Sequence, residues 1–458
     1  MHQATSAAAN VRAGAATAHG GDPPGARRRA VGLFAFFFLV IAAFWIQKPI
    51  RTSKLLIDVG PQALPLVKLG TACLVLPVML AYSSLAARYR RATLVYWCTA
   101  TFALTSVLFW WLLRGDGGDA KWTPYAFFFY VDIFNSVLVA LFWSFANDLT
   151  TPDEARRTYG LVGAGGIVGG VVGSAVTGWT VERLGAPNLL LVCVALLAVI
   201  AALARWLTHE APQAAGHTAP RVTLREAVAG ARLTAASPYL LSIAALVFTY
   251  EIVSNVVDYQ FNTVVAGRYT ADAAMAGFLG RFSTASSGAS LLVQLGLTSW
   301  ILRLWGPRVG LLVLPLVLGL GSLGFLVQPL FVVIAATFFG DAALGYSLNQ
   351  TTKEVLYTPT DDATKYQAKA FIDMFLMRLA KAVSSLLILA CMAWWLPGSD
   401  AVHRLGVISL VTVSAWLLVA LRAGRAFERE APAAADAAGG RDGLPARRAP
   451  APAVPRPV

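Results

Sequence analysis

Three basic side chains lie close together in the first long apolar segment of this chain. The stretch FWIQKPIRTSKLL, residues 44–56, carries Lys48, Arg51 and Lys54 at intervals of three residues. On a helix this spacing places all three on one broad face. A cation inside a bilayer costs roughly 2.5–3.5 kcal/mol on insertion scales, so charges at membrane depth mark binding sites or ion pathways. We therefore interpret this face as part of a site for an anion.

Later apolar segments carry further polar residues at helical spacing. Beside the three cations, the candidate site comprises Glu251, Asn255, Asp258, Arg281, Arg378 and Lys381. The first three of these form one stripe at i, i+4 and i+7, and the last two are one turn apart. The excess of cations predicts a substrate with several negative charges. Phosphate groups fit best, because arginine and lysine bind them through charge-assisted hydrogen bonds.

A structural alternative stays open for these charges. They could pair across the molecule and hold its parts together, with Lys48 or Arg51 opposite Glu251 or Asp258 as the obvious pairs. The long side chain of Lys68 could instead extend to the membrane surface, and we favour that interpretation for it. Further acids at membrane depth, left outside the candidate site, are Asp132, Asp341 and Asp373.

The composition indicates a membrane protein. Of 458 residues, 57% are hydrophobic and 13% are charged, whereas a soluble domain carries about 25% charged residues. Apolar runs of about 20 residues, enough to cross the hydrocarbon core, recur along the chain. We expect an all-α membrane protein, because a helix satisfies its own backbone hydrogen bonds in lipid. The net charge of +13 does not indicate nucleic-acid binding, since the basic residues are distributed by membrane side.

Hydrophobic runs and helix breakers predict about 12 transmembrane helices. The predicted segments are 31–57, 64–85, 92–113, 124–147, 158–180, 188–207, 238–261, 274–302, 308–326, 329–348, 365–396 and 402–421. Between the sixth and the seventh lies the longest polar segment, in which VTLREAVAGARLTA resembles a short amphipathic helix. Six helices on either side of a central loop are the plan of a major-facilitator-type transporter, whose halves rock around a midplane site.

The loop charges predict the orientation. Arginines and lysines concentrate in alternate loops and in both terminal segments, which the positive-inside rule places in the cytoplasm of a multi-pass bacterial inner (plasma) membrane protein. The predicted organisation is a disordered cytoplasmic N-terminus 1–30, an N-terminal six-helix half 31–207, a cytoplasmic central loop 208–237, a C-terminal six-helix half 238–421 and a disordered cytoplasmic tail 422–458. We expect a monomer whose partners are the lipid bilayer and an anionic small molecule, with no nucleic acid.

The glycine-rich stretch TYGLVGAGGIVGGVVGSAVTGW predicts close helix packing. Gly165, Gly169 and Gly173 recur every four residues, a spacing that lets two helix backbones approach. A phosphate-binding P-loop would need a Gly-Lys-Ser/Thr sequence, and none follows. The chain also shows no nucleophile elbow and no metal motif. We therefore expect neither an enzyme nor a cofactor.

Three stretches resemble a known family. FWSFANDLTTPDEARRTYGLVGAGG (142–166), NQTTKEVLYTPTDDATKYQAKAFID (349–373) and PIRTSKLLI followed by ALPLVKL are similar to segments of the ATP/ADP translocases of plastids and obligate intracellular bacteria. The resemblance covers most of the chain and implies exchange of nucleotides across a membrane.

The resemblance also implies roles for individual residues. The family's important first-helix lysine corresponds to Lys54, and a lysine entering the eleventh helix corresponds to Lys369. Acids of the middle helices correspond to Asp148 and to Glu251 or Asp258. The family typically has Arg-Asp-Thr-Lys-Asp on its first helix, where this chain reads RTSKL, so the local site here is more cationic.

Together these observations predict a secondary transporter that moves nucleotides, by ATP/ADP exchange, or a related phosphorylated anion by alternating access. Two alternatives remain. One is a proton-coupled carrier of another solute, with Glu251 or Asp258 as the proton acceptor. The other is a membrane protein that binds nucleotide without transporting it, in which the charges at membrane depth are fixed pairs.

Overall fold

The computed structural model describes residues 25–115, 121–210, 224–360, 362–394 and 399–442. Within these residues the chain forms helices and turns and no strand. Twelve helices are long and apolar enough to cross a membrane, which confirms the predicted number. Most of the predicted disordered N-terminus, the start of the central loop and the end of the tail lie outside the described residues.

Six spanning helices form the N-terminal half. They are α1 (Ala26–Asp58), α2 (Ala63–Arg88), α3 (Arg91–Leu112), α4 (Thr123–Leu149), α5 (Pro152–Leu184) and α6 (Ala186–Glu210). The predicted amphipathic helix is confirmed as α7 (Leu224–Ala236), which packs against the helix α12 described below.

The C-terminal half contains the other six spanning helices. These are α8 (Pro238–Ala266), α9 (Asp272–Leu304), α10 (Gly306–Val327), α11 (Phe331–Leu356), α13 (Met377–Trp394) and α14 (Gly406–Asp442). A shorter helix, α12 (Asp362–Phe371), leads into α13. Helix α14 continues past residue 422, contrary to the predicted disorder. Alanine, arginine and glutamate, which make up most of residues 423–430, favour a helix.

Three π-helical turns interrupt the C-terminal half. They are Val293–Leu297 within α9, Gly345–Asn349 within α11 and Ile372–Leu376 between α12 and α13. A π turn breaks the regular hydrogen-bond ladder and commonly occurs at functional sites. The described helices of the N-terminal half contain no such turn.

Helix α5 begins at a strong local signal. The Thr151 side chain accepts a hydrogen bond from the Glu154 amide at 3.3 Å, and Pro152 follows as the first helical residue. The carboxylate of Glu154 then pairs with Arg29 of α1 at 3.0 Å, and both side chains are buried. This part of the TTPDEARR stretch therefore starts one helix and fixes it to another.

The glycines of α5 pack against the backbone of α1, as their spacing predicts. A Cβ atom added at Gly165 would lie 2.6 Å from the Phe34 carbonyl oxygen, and one at Gly169 would overlap that of Phe38. Thr177 of α5 also donates a hydrogen bond to the Ile46 carbonyl at 2.8 Å. Because only glycine allows this approach, α1 and α5 form one tightly joined pair.

The end of the bundle at which α1 begins is called the N-terminal end. The other end is called the opposite end. Polar contacts between the two halves lie toward the opposite end. Ser53 donates to Asp272 at 2.5 Å. Arg281 contacts the Gly178 carbonyl at 2.9 Å and pairs with Glu182 at 3.0 Å. These contacts close the opposite end around a cavity between the halves.

Candidate functional site

A cavity of about 440 Å³ lies between the two halves. This volume falls within the roughly 300–1,000 Å³ typical of small-molecule sites. Helices α1, α2 and α4 line it from one half and α8, α9, α10, α11 and α13 from the other. Its charged lining residues are Lys48, Arg51, Lys68, Asp132, Glu251, Asp258, Asp341, Lys353 and Lys381. Charges of both signs therefore face one another at membrane depth.

Lys48 is the cavity cation on α1 that is free to bind an anion. Its Nζ lies 4.1 Å from the centre of the Trp45 ring, a cation–π contact. Among the described residues no carboxylate forms an ion pair with it. Pro49 follows directly and lacks a backbone N–H, so one hydrogen bond of the helix is missing here. The lysine therefore has charge available for a ligand.

Arg51 is neutralised within its own half. Its guanidinium pairs with Asp132 of α4 and lies 4.1 Å from the centre of the Phe128 ring. The second oxygen of Asp132 accepts a hydrogen bond from Thr71 of α2 at 3.0 Å. This network fixes Arg51, of which 8% is exposed, at the cavity wall. Of the alternative pairs considered for Arg51, neither Glu251 nor Asp258 forms one in the structure, because Asp132 of α4 is its partner.

Lys68 joins the two halves, contrary to the expected extension toward the membrane surface. Its Nζ pairs with Asp258 and donates to Asn255 at 2.5 Å. Lys68 lies on α2 and both partners lie on α8, so the pair crosses the cavity toward the opposite end. Of the two residues in this pair, Asp258 is one of the candidate site residues predicted from the sequence, and Lys68 is not.

Glu251, the other acid of the polar stripe, forms an ion pair within the C-terminal half. Glu251, of which 5% is exposed, lies 3.6 Å from the Nζ of Lys381 on α13. The amide of Asn255 donates to Ser384 at 3.0 Å and to Ser385 at 3.3 Å. The stripe at i, i+4 and i+7 therefore faces the cavity, as its spacing predicts, and binds α13 at the same time.

Four of the candidate residues lie outside the cavity lining. Lys54 pairs with Asp58 at 3.1 Å, one turn further along α1. Arg281 belongs to the contacts with α5 at the opposite end, and Arg378 is partly buried elsewhere on α13. Lys369 pairs with Glu354 at 2.6 Å near the start of α13.

Other cavity residues were not among the candidates. Asp132 and Asp341 were recognised as acids at membrane depth, but their spacing gave no reason to group them with the rest. Lys353, which pairs with Asp373 at 3.0 Å, fell in a predicted loop. The aromatic side chains Trp45, Phe128, Tyr250, Phe338 and Tyr346 also line the cavity. In a sequence with 11% aromatic residues they gave no separate signal.

The fold is shared with solved transporters of the major-facilitator type. The nucleoside transporter NupG superposes with a TM-score of 0.60 at 11% identity, over 88% of this chain and 98% of that one. A bacterial homologue of the iron transporter ferroportin, in an inward-facing state, also gives 0.60, at 14% identity over 87% and 98%. At such identities the likeness concerns the fold alone.

Sequence relatives are nucleotide carriers by name. ADP,ATP carrier protein 1, chloroplastic, of Arabidopsis thaliana is 26% identical over 65% of this chain, and the match spans about half (53%) of that protein's length. ADP,ATP carrier protein 1 of Chlamydia muridarum is 25% identical over 73% of this chain and 72% of the relative. ADP,ATP carrier protein 2 of Chlamydia pneumoniae is 22% identical over 87% and 88%.

One family model matches most of the chain. The model of the TLC ATP/ADP transporter matches residues 119–344 and 335–427. These ranges cover more than half of the 458 residues and include both loop motifs on which the resemblance was based, residues 142–166 and 349–373. With its twelve spanning helices and its charged central cavity, this chain belongs to the TLC ATP/ADP transporter family.

Proposed function

We propose that this protein exchanges ATP for ADP across the membrane by alternating access, with the nucleotide bound in the central cavity. The observation that carries the proposal is a cavity lysine, Lys48, without an acidic partner among the described residues, in a chain of the TLC ATP/ADP transporter family. The names of the relatives support the substrate. We propose further that the protein acts as a monomer.

The cavity has the two kinds of groups that a nucleotide needs. Lys48 supplies positive charge for the phosphates, and the paired cations Arg51 and Lys381 line the same cavity. Trp45 and Tyr346 offer ring faces on which the adenine can stack. Phosphate contacts supply most of the affinity, and the aromatic contacts orient the base.

The cross-half pair gives substrate binding a way to open the opposite end. A bound triphosphate competes with Asp258 for Lys68, because several phosphate oxygens attract the ammonium more strongly than one carboxylate does. Losing that pair weakens the closure of the opposite end and lets the halves rock. In the empty carrier the acids neutralise the cations, so the pair forms again. Binding and conformational change are thereby linked.

The orientation is also a proposal. The basic residues at the N-terminal end include Arg27, Arg28, Arg88 and Arg90, and the positive-inside rule places that end in the cytoplasm. Both termini then lie inside a bacterial inner membrane. The described conformation, closed at the opposite end, accordingly faces inward.

The test is uptake of radiolabelled ATP into liposomes containing the purified protein. Liposomes preloaded with ADP should take up ATP, whereas liposomes that contain no nucleotide or only inorganic phosphate should not. A Lys48→Gln variant should lose most of this uptake. A Lys54→Gln variant, matched in residue type and helix but outside the cavity lining, should retain it. Uptake that is independent of internal ADP would contradict the exchange.

A further inference from the structure

Asp341 on α11 is a cavity acid for which the structure provides no cation. Only 5% of the residue is exposed. Its Oδ2 accepts a hydrogen bond from the Ser254 hydroxyl at 2.6 Å, while its buried Oδ1 has no hydrogen-bond partner among the described residues. Among the described residues no lysine or arginine is within ion-pair distance of it. A carboxylate here would be an uncompensated buried charge.

The other acids of the cavity lining differ from Asp341 in this respect. Each has a basic partner: Asp132 pairs with Arg51, Asp258 with Lys68 and Glu251 with Lys381. The two acids that the sequence suggested as proton acceptors, Glu251 and Asp258, thus each form an ion pair with a lysine. Among the described residues of the cavity lining, the acid without a basic partner is the one on α11.

The groups around Asp341 are acidic or neutral. Helix α8 presents Tyr250, Glu251 and Asp258, and Tyr346 follows on α11 itself. The ammonium of Lys381 on α13 is directed to Glu251. The cavity lining contributed by α9 and α10 consists of Leu279, Ser283, Ser286 and Leu311. Burial away from water and two neighbouring carboxylates both favour the neutral carboxylic acid.

We propose that Asp341 is a proton-binding site, occupied in this conformation, and that its proton crosses the membrane together with the nucleotide anion. The carboxylate takes the proton from water on one side and returns it to water on the other, with no covalent bond changed elsewhere. An ionised Asp341 would repel ATP more strongly than ADP, because ATP carries one more negative charge, so the proton crosses with ATP and does not return with ADP. The proton site stands by itself, but its coupling rests on the proposed nucleotide transport.

The proton site is tested by infrared spectroscopy of the purified protein. At neutral pH the wild type should show the C=O stretch of a buried protonated carboxylic acid, which Asp341→Asn removes. The exposed acid Asp153 provides a matched control, because Asp153→Asn should leave the band unchanged. Asp341→Glu keeps an acid and should shift the band without removing it, which serves as the test if the asparagine variant does not fold. A wild type without the band, or a band that Asp341→Asn leaves in place, overturns the proposal.

The coupling is tested in ADP-loaded liposomes whose membrane potential is held at zero with potassium and valinomycin. Making the outside one pH unit more acidic than the inside should raise the ATP accumulated at steady state by up to about tenfold, because one pH unit is a tenfold difference in proton concentration and one proton crosses with each ATP. In Asp341→Asn the ratio of uptake with and without the gradient should be close to one. An unchanged ratio in the variant, or no response in the wild type, overturns the coupling. If the wild type takes up no ATP but shows the band, the nucleotide exchange fails and the proton site is supported.

Discussion

The ion pair between Lys68 and Asp258 should help to keep the opposite end closed. Replacing Asp258 by asparagine removes the negative charge and preserves the shape of the side chain. Of the two polar partners that Lys68 has among the described residues, only Asn255, at 2.5 Å, is then unchanged. Because this pair joins α2 of one half to α8 of the other, its loss should favour conformations in which the opposite end is open.

The size of the effect follows from how much the two side chains are buried. Their exposed fractions are 21% for Lys68 and 27% for Asp258, between a surface pair, worth about 0–1 kcal/mol, and a fully buried pair, whose disruption costs about 3–5 kcal/mol. We expect about 1–2 kcal/mol, which changes the ratio of closed to open molecules by a factor of about 5–30.

The assay is a distance measurement by pulsed electron paramagnetic resonance between spin labels at the opposite end. Leu184, at the end of α5, and Thr270, just before α9, are exposed and belong to different halves. The native cysteines to be replaced by alanine in the labelled protein are Cys73, Cys98, Cys193 and Cys391. The Asp258→Asn variant should show a larger fraction of long distances than the wild type.

A matched control lies on α1. Lys54 and Asp58 also form a lysine–aspartate pair near the opposite end, with 24% and 34% of their side chains exposed, but both belong to one helix. The Asp58→Asn variant should therefore leave the distances unchanged. Exchanging the charges, Lys68→Asp with Asp258→Lys, should restore the wild-type distribution. Equal effects of the two asparagine variants, or none in Asp258→Asn, would refute the reasoning.

Two further predictions concern packing and binding. Gly169→Ala should lower the free energy of unfolding by about 1–3 kcal/mol, because the new methyl group overlaps the Phe38 carbonyl. Thermal unfolding in detergent measures this change. Gly163→Ala is the neutral control, because a Cβ atom there meets open space. Lys48→Gln should weaken ATP binding about tenfold to a hundredfold, since a hydrogen bond to a charged group contributes about 1.5–3 kcal/mol. Lys369→Gln should change ATP binding less than about threefold, because Lys369 forms a partly exposed ion pair outside the cavity. Calorimetric titration with ATP compares the two variants. Equal losses of ATP affinity would contradict the assignment of Lys48 to the binding site.

The helices could be predicted from the sequence because the lipid imposes their length and polarity. Each of the twelve spanning helices overlaps one predicted segment. The short helix α7 could also be found, since its apolar residues recur with helical period. The glycines of α5 predicted close packing because their spacing is itself a property of one helix face. These features all depend on residues near one another in the chain.

The partners of the charges could not be predicted in the same way. The sequence gives the depth and the face of Arg51, but not that α4, carrying Asp132, lies beside it. Lys68 is five residues into its helix, a position typical of a side chain that extends to the membrane surface, and nothing in the sequence indicates that α8 lies opposite it. Asp341 could be recognised as buried, but its lack of a cation depends on every neighbouring helix.

The three π turns make the two halves mechanically unequal. Val293–Leu297, Gly345–Asn349 and Ile372–Leu376 each leave part of the helical ladder irregular, so a helix bends there at lower cost than along a regular stretch. In the described N-terminal half the helices contain no π turn, and the backbone contact of α1 with α5 makes this half the stiffer one. Motion during the transport cycle should therefore divide unevenly: the half that carries Lys48 turns as a unit, while the half that carries Asp341 deforms within itself.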